Sequence, residues 1–329
     1  MILSICIPTY NRVKFLKVCL QNLLPQIIPY KDEVEVIVID NCSIDETQQL
    51  VNDFIKEYSF IKYYRNVKNL GYTGNQIKAY TLSNGFYTAF LSDDDVYLDT
   101  LLNKLLKIIY KKKYIFIALN YYGFKNNFNV IYSSNFAPEK NIEFERAYDI
   151  LNYDSVGHWS GFIINTELAQ LTLKKVLTLK TLVEFEKNRG LIGEMIHRAL
   201  PSTKSPSFFF GERLLAVNIP KEVDYDIFHH LFIDDYKFYL QLYKEKYINE
   251  KDLFYRKQLI LSKLTKTIIT RLFQYNNIEV HNIKNELDIL FKDDLIYNKK
   301  IKPYFFIMNF YLIKQILKFS YFIFKKFNN

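Results

Sequence analysis

Residues 86–95 read Phe86-Tyr87-Thr88-Ala89-Phe90-Leu91-Ser92-Asp93-Asp94-Asp95. An apolar run of strand length ends directly in three consecutive acids. A lone Asp after a strand is usually a helix cap. Three in succession raise each other's pKa unless a cation sits among them. Hard oxygen ligands of this kind suit Mg2+ or Mn2+, held through one or two carboxylates and the phosphates of a substrate. The plainer reading is an acidic, solvated turn capping a helix over 97–110. The position of the cluster, at the carboxyl end of a buried strand, favours the cation and diphosphate.

The rest of the first 120 residues alternates around that strand. ILSICIP (2–8) is a short apolar strand, and 12–24 has helical spacing through Phe15, Leu16, Cys19, Leu20 and Leu23. VEVIVID (34–40) is β-branched and nearly continuous, as a strand buried on both faces should be. Ser43 and Glu46 read as a capping box opening a helix to about Tyr58. IKYYRN (61–66) is a third strand, Gly71 to Ser83 a helix, and YIFIALN (114–120) a fifth strand. Strands alternating with helices imply βαβ units and a mainly parallel sheet, with ligands at the carboxyl ends of the strands. Beyond 120 the pattern weakens. A hairpin is expected over 120–134, turning at 125–127, then a helix over 142–152 and a strand over 158–165. The stretch 166–222 shows no readable period, and the chain is mostly helical from 223.

The other strand ends are also polar. Thr9, Tyr10, Asn11 and Arg12 follow the first strand, Asp40 and Asn41 end the second, and Asn69, Gly71 and Asn75 follow the third. IPTYNR (7–12), VIDNCSIDET (38–47), NLGYTGN (69–75) and FLSDDD (90–95), in this order, resemble a family 2 glycosyltransferase of the GT-A fold, over about residues 1–120. The resemblance implies a Rossmann-like, mainly parallel α/β sheet flanked by helices. It implies transfer of a sugar from a nucleoside-diphosphate donor with inversion at the anomeric carbon. On the same basis Pro8, Thr9, Tyr10 and Arg12 border the nucleotide, Asp40 contacts the base, and Asn69, Gly71 and Asn75 line the same pocket. Asp93 to Asp95 match the family's DXD element. Ser92 stands where the family has Asp, so the ribose role is open between Asp93 and Asp94. Asp95 and Asp93 are the expected ligands for Mn2+ or Mg2+, with Asp95 first.

Such a transfer needs a carboxylate to take the proton of the acceptor hydroxyl, on the side opposite the departing diphosphate. Related enzymes carry it about 100 residues after the DXD, often in a Glu-Asp pair. Here Glu194 in GEMIHR is nearest, with Met195 in place of the second acid; Glu184, Glu186, Glu212 and Asp154 are the alternatives. Glu194 equally reads as a helix-surface acid paired with Arg198. His158-Trp159 faces an acceptor sugar or packs in the core. No Q-x-x-R-W sequence and no bundle of apolar spans is present, which favours adding one or a few sugars to an existing glycan over processive synthesis.

Charge bears on location. The chain of 329 residues carries a net +9, with 49% hydrophobic and 17% aromatic residues, and is no disordered or low-complexity sequence. Residues 295–329 hold seven Lys and no acid, so the remainder is nearly neutral. That argues against nucleic acid as a partner. In the tail, Lys314, Lys318 and Lys325 fall on one helical stripe opposite Phe305, Leu312, Ile316, Phe319 and Ile323. Such a segment (about 303–327) suits the interface of an anionic membrane, where lysines snorkel, better than a span. The alternative is a helix packed on the body with a solvated edge. Three Cys and no visible signal peptide fit a reducing compartment. The expectation is therefore a glycosyltransferase domain over 1–222, with a donor half (1–120) and an acceptor half (121–222). A helical region over 223–329 follows. Its place would be peripheral, on the cytoplasmic face of the plasma membrane, near a lipid-linked or cell-surface glycan acceptor. A sugar-nucleotide-binding scaffold without strong catalysis is the alternative.

Overall fold

A computed structural model of the chain describes residues 1–134, 138–153, 158–178, 190–219, 232–271 and 277–307. The chain divides into two compact units, Met1–Val223 and Asp224–Asn329. In the first unit the elements run β1 (Leu3–Thr9), α1 (Val13–Ile27), β2 (Val34–Asp40), α2 (Thr47–Glu57), β3 (Ile61–Arg65), α3 (Gly71–Leu82) and β4 (Tyr87–Phe90). There follow β5 (Val96–Tyr97), α4 (Leu101–Lys111), β6 (Phe116–Phe124), β7 (Ser133–Ser134), β8 (Ile142–Phe144), β9 (Phe162–Asn165), α5 (Thr166–Val176), α6 (Gly190–Ala199) and β10 (Ser207–Asn218). They build one sheet in the order β3-β2-β1-β4-β9-β6-β10-β5, with β7 added to β6 and β8 to β10.

The first four strands pair in parallel in the order β3-β2-β1-β4. Helical crossovers between parallel neighbours leave both sheet faces covered. β1 shows the consequence. Leu3, Ile5 and Ile7 join one core cluster with Leu16, Leu20, Leu23 and Leu24 of α1 and with Leu101, Leu102, Leu105 and Leu106 of α4. Ser4 and Cys6 point the other way, and the Cys6 thiol reaches the Ala79 carbonyl of α3. Each Leu removed from water there is worth about 1.5–3 kcal/mol. The antiparallel strand β9 then lies between β4 and β6, and β10 runs parallel to β6. The mainly parallel sheet expected from the sequence is thus present, and its first four strands send their carboxyl ends to one edge.

Several local expectations change. Ser43 does not cap α2: its hydroxyl accepts from Asn11 N at 2.9 Å. α2 starts later, at Thr47, and Asp45 serves two turns at once. It accepts from Thr47 N and from Val13 N, the first residue of α1. The helix expected from 97 begins at Leu101, because Val96 and Tyr97 pair with Ala216 and Leu215 of β10. Residues 142–152 are strand β8 and a 3-10 turn, Ala147–Asn152, rather than a helix. His158-Trp159 leads into a 3-10 turn, Trp159–Gly161, before β9. The unreadable stretch contains β10, whose register against β6 shifts between Phe210 and Leu215. That irregularity hides its period.

The second unit contains α7 (Asp234–Lys244), α8 (Glu250–Arg271), α9 (Asn277–Phe291) and α10 (Lys302–Ile307). The rings of Tyr236 and Phe291 lie 4.7 Å apart, and Phe291 and Tyr297 6.0 Å apart. Asp294 is held by Lys257 at 2.8 Å. The tail stripe beyond Ile307 lies outside the described residues.

Gly85 marks how tightly the parallel strands approach. A Cβ there would lie 2.6 Å from Ser4 N and 2.8 Å from the Leu3 carbonyl carbon, both backbone atoms. Gly85→Ala is expected to cost at least about 1–3 kcal/mol, as overpacking that backbone cannot relieve. Urea unfolding tests it: the midpoint falls while the m-value stays unchanged.

Candidate active site

The converging strand ends enclose a cavity of about 510 Å3. Its walls include Pro8, Thr9, Tyr10 and Arg12 after β1, Asn41 after β2, and Asn69, Gly71, Tyr72 and Asn75 around the start of α3. Ser92 to Asp95 after β4 form its floor, and His158, Trp159 and Asn218 close it. Of the residues expected from sequence, Pro8, Thr9, Tyr10, Arg12, Asn69, Gly71, Asn75, Asp93, Asp94 and Asp95 are all brought here. Asp40 and Glu194 are not.

Each acid of the 93–95 turn has its own anchor. Thr9 Oγ1 donates to Asp93 Oδ2 at 2.7 Å. Arg12 bridges two acids, with Nη1 3.1 Å from Asp93 Oδ1 and Nη2 2.5 Å from Asp94 Oδ2. Ser92 Oγ donates to the other oxygen of Asp94 at 2.6 Å. Asp95 accepts from the Asn218 backbone N–H at 2.9 Å and from Ser160 Oγ at 2.5 Å. Ser160 in turn accepts from Ser92 N at 2.9 Å. The acidic turn is therefore a buried knot, and the solvated cap is excluded by Asp93 and Asp95 being only 2% and 1% exposed.

Burial sets the charges. Desolvation lifts the Asp93 carboxyl to about 6, against the pull of Arg12 and Thr9. It lifts Asp95 further, to about 8, reinforced by the charge of Asp94 and opposed by Ser160 and Asn218. It drops the His158 imidazole to about 4, against the attraction of Asp94. His158 Nδ1 lies 3.5 Å from Asp95 Oδ2, within reach of an ion pair. With those two shifts the contact joins a neutral imidazole and a protonated carboxyl at neutral pH.

The opposite wall is tied together by asparagines. Asn41 Nδ2 donates to Asn69 Oδ1 and to the Gly71 carbonyl, and Asn41 Oδ1 accepts from Leu70 N. Asn66, buried behind the wall, donates from Nδ2 to both Asn41 Oδ1 and Asn75 Oδ1. Asn75 Nδ2 donates to the Ile39 carbonyl at 3.0 Å. Gly71 takes φ +73°, a conformation that favours glycine. Trp159 and Tyr72 meet across the mouth, with centroids 5.3 Å apart.

Two of the expected residues lie away from the cavity lining. Asp40 is fully buried, accepting from Ser43 N and Tyr63 Oη with Arg65 3.4 Å away. It builds the loop behind the cavity, and Asn41 occupies the wall. Glu194 sits in α6, 2% exposed, with Oε1 2.7 Å from Arg198 Nε one helical turn on. The expected pairing with Arg198 is present, buried rather than on the surface, and the carboxylate does not line the cavity. Among the alternatives, Glu212 is held by Lys104 at 2.6 Å, and Glu184, Glu186 and Asp154 lie outside the described residues. Ser160, Asn66 and Asn218 had no sequence signal. Asn218 comes from the stretch without readable period, and all three meet the motifs only through the fold.

Asp95 offers a direct check on this electrostatic picture. A carboxyl with a folded pKa of about 8 against about 3.9 unfolded contributes stability that is complete below pH 4 and is lost as pH rises to 8. Asp95→Asn mimics the protonated form and does not titrate. In chelated buffer the variant's melting temperature should gain on the wild type between pH 5 and pH 8.5, by on the order of a few kcal/mol in stability. A pH-independent difference contradicts the shift.

An abequosyltransferase, RfbV, of Salmonella typhimurium is 37% identical over 96 residues, 29% of this chain and 28% of that protein. A Campylobacter jejuni GalNAc(5)-diNAcBac-PP-undecaprenol beta-1,3-glucosyltransferase is 33% identical over 106 residues, 32% of this chain and 33% of that one. These matches span about a third of each relative. The crystal structure of S. aureus TarS superposes with a TM-score of 0.64 at 17% identity, over 96% of this chain and 53% of that one, a likeness of fold. The model of Glycosyl transferase family 2 matches residues 4–170. That stretch holds all four strand-end motifs and is just over half the chain, which belongs to glycosyl transferase family 2.

Proposed function

We propose that the protein is an inverting glycosyltransferase that moves a sugar from a nucleoside-diphosphate donor to a hydroxyl of a lipid-linked or cell-surface glycan. The observation that carries this is the buried Asp93–Asp95 knot, crossed by Arg12, at the floor of a cavity walled by asparagines and aromatic rings. Arg12 offsets the repulsion of Asp93 and Asp94, so both stay in place beneath a diphosphate. The chain Asn66–Asn41–Asn69 holds the Gly71 turn as a rigid wall for the nucleotide, with backbone at Gly71 free for close approach. Trp159 and Tyr72 offer flat apolar surfaces to a base or a sugar ring.

The residues fit a divalent cation. His158 Nδ1 is buried and makes no hydrogen bond among the described residues. It is neutral, and it lies beside Asp95 Oδ2. A carboxylate, an imidazole and diphosphate oxygens form a donor set suited to Mn2+ or Mg2+, with the cation taking the place of the Asp95 proton. No group of three or more acidic, His or Cys side chains forms a ready-made cage among the described residues. When bound, the cation supplies neutralisation of the charge growing on the leaving diphosphate.

The lipid-linked acceptor is supported by the name of the Campylobacter relative, and contact with an anionic membrane by the acid-free, lysine-striped sequence of 303–327. No helix among the described residues is long and apolar enough to cross a membrane.

A thermal-shift screen of UDP-, GDP-, CDP- and dTDP-sugars with Mn2+ should single out one donor class, since a bound ligand raises stability by RT ln(1 + [L]/Kd). With that donor, Asp95→Ala should lower transfer about a hundredfold or more, the scale of losing one charge-stabilising group. Transfer at the wild-type rate removes Asp95 from the mechanism. Donor binding without turnover on any glycan acceptor supports the scaffold reading instead.

A further inference from the structure

Outside the cavity, the loops after β2 and β3 end in apolar crests that nothing in the donor site explains. Ile44 is 88% exposed and Val67 is 97% exposed, and neither lines the cavity. Their loops follow β2 and β3, which pair in parallel with Asp40 opposite Arg65. The contacts between loops are explicit. Asn11 Oδ1 accepts from Ile44 N at 2.8 Å, and Arg65 Nη2 donates to the Ser43 carbonyl at 2.8 Å. Asn41 Oδ1 accepts from Leu70 N at 2.9 Å. Ile44, Val67 and Leu70 thus lie exposed on loops bonded to one another, next in the chain fold to Tyr10 and Tyr72 of the cavity lining. Single exposed apolar residues are ordinary, but several on adjacent loop crests mark an interaction surface.

The charges around these loops have one sign in excess. Lys14 and Lys17 on the first turns of α1 and Lys68 beside Val67 are exposed. Glu46 is the exposed acid, while Asp45 is occupied by Val13 N and Thr47. Arg12 is committed to the acidic knot. Aliphatic crests flanked by lysines are the composition of a surface that enters a lipid interface, with cations at the headgroups and side chains at the acyl boundary.

We propose that the crests at Ile44 and Val67, with Lys14, Lys17 and Lys68, dock on an anionic bilayer and turn the cavity mouth toward it. The inference rests on the reading of the acceptor as lipid-linked, and it supplies the geometry that reading needs. An acceptor held in the leaflet meets the mouth without leaving the membrane. It is independent of the basic tail.

The test is flotation of the full chain with phosphatidylcholine vesicles, with and without phosphatidylglycerol. Wild type should float with the anionic vesicles and lose binding as salt rises. The double variant Ile44→Ser, Val67→Ser should partition about tenfold less or weaker still, from the loss of two inserted side chains. Its melting temperature and its donor-induced shift should match wild type, because neither residue touches the cavity. Equal partition of wild type and double variant overturns the surface while leaving the lipid-linked acceptor standing. Wild type that floats with neither vesicle overturns both. In a second measurement, the indole introduced by Val67→Trp should be quenched by brominated lipids beyond the wild-type signal of Trp159. No added quenching overturns insertion of this crest. Concentration-dependent self-association that the double variant abolishes would assign the crests to a second copy of the chain instead.

Discussion

Three carboxyl groups in sequence, two of them almost wholly removed from water, are the constraint around which this domain is organised. Burying a charged carboxylate without compensation costs several kcal/mol, and a like-charged neighbour adds to it. The fold answers with a separate arrangement at each position. Asp93 keeps Arg12 and Thr9, and its carboxyl rises only to about 6. Among the described residues Asp95 has hydrogen bonds but no Lys or Arg partner, and its carboxyl rises to about 8. The gradient from Asp93 to Asp95 leaves one position where a proton stands in for a missing positive charge. That position adjoins a neutral, buried imidazole, and the divalent cation is proposed there for this reason.

Much of the remaining architecture serves to bring those partners together. β1 delivers Thr9 and Arg12, because its parallel pairing with β4 aligns Cys6 with Phe90 and sends both chains out at the same edge. Ser160 reaches Asp95 from the turn before β9, the antiparallel strand beside β4. Asn218 arrives at the last residue of β10, past the irregularity that resets its register. The acidic turn is thus braced by elements from the start, the middle and the end of the domain. The asparagine wall has the same character, joining the ends of β2 and β3 to α3 through the side-chain amides of Asn41, Asn66, Asn69 and Asn75.

What was legible in the sequence follows from this arrangement. β2 could be bounded to the residue because seven consecutive buried positions leave no polar interruption except Glu35 and the terminal Asp40. The strand-end motifs were visible because each lies directly after its strand, where local order and function coincide. Ser160, Asn66 and Asn218 were not, since each acts through a contact with a residue 25 or more positions away. The two readings of Glu194 are not separable in the sequence for a related reason. A Glu and an Arg at helical spacing look alike on a surface and in a core, and only packing decides. The supposed capping box failed because Ser43 was needed by Asn11, a partner that local spacing cannot reveal.

Asp95 and His158 are the pair proposed to receive a divalent cation above the buried knot. The most direct measurement is a crystal structure with Mn2+ and a nucleoside diphosphate, using anomalous scattering to locate the metal. One peak is expected at coordination distance from Asp95 Oδ2 and His158 Nδ1, with diphosphate oxygens and water completing its shell. A peak held by other side chains, or a diphosphate seated in the cavity with no metal beside Asp95, would contradict it.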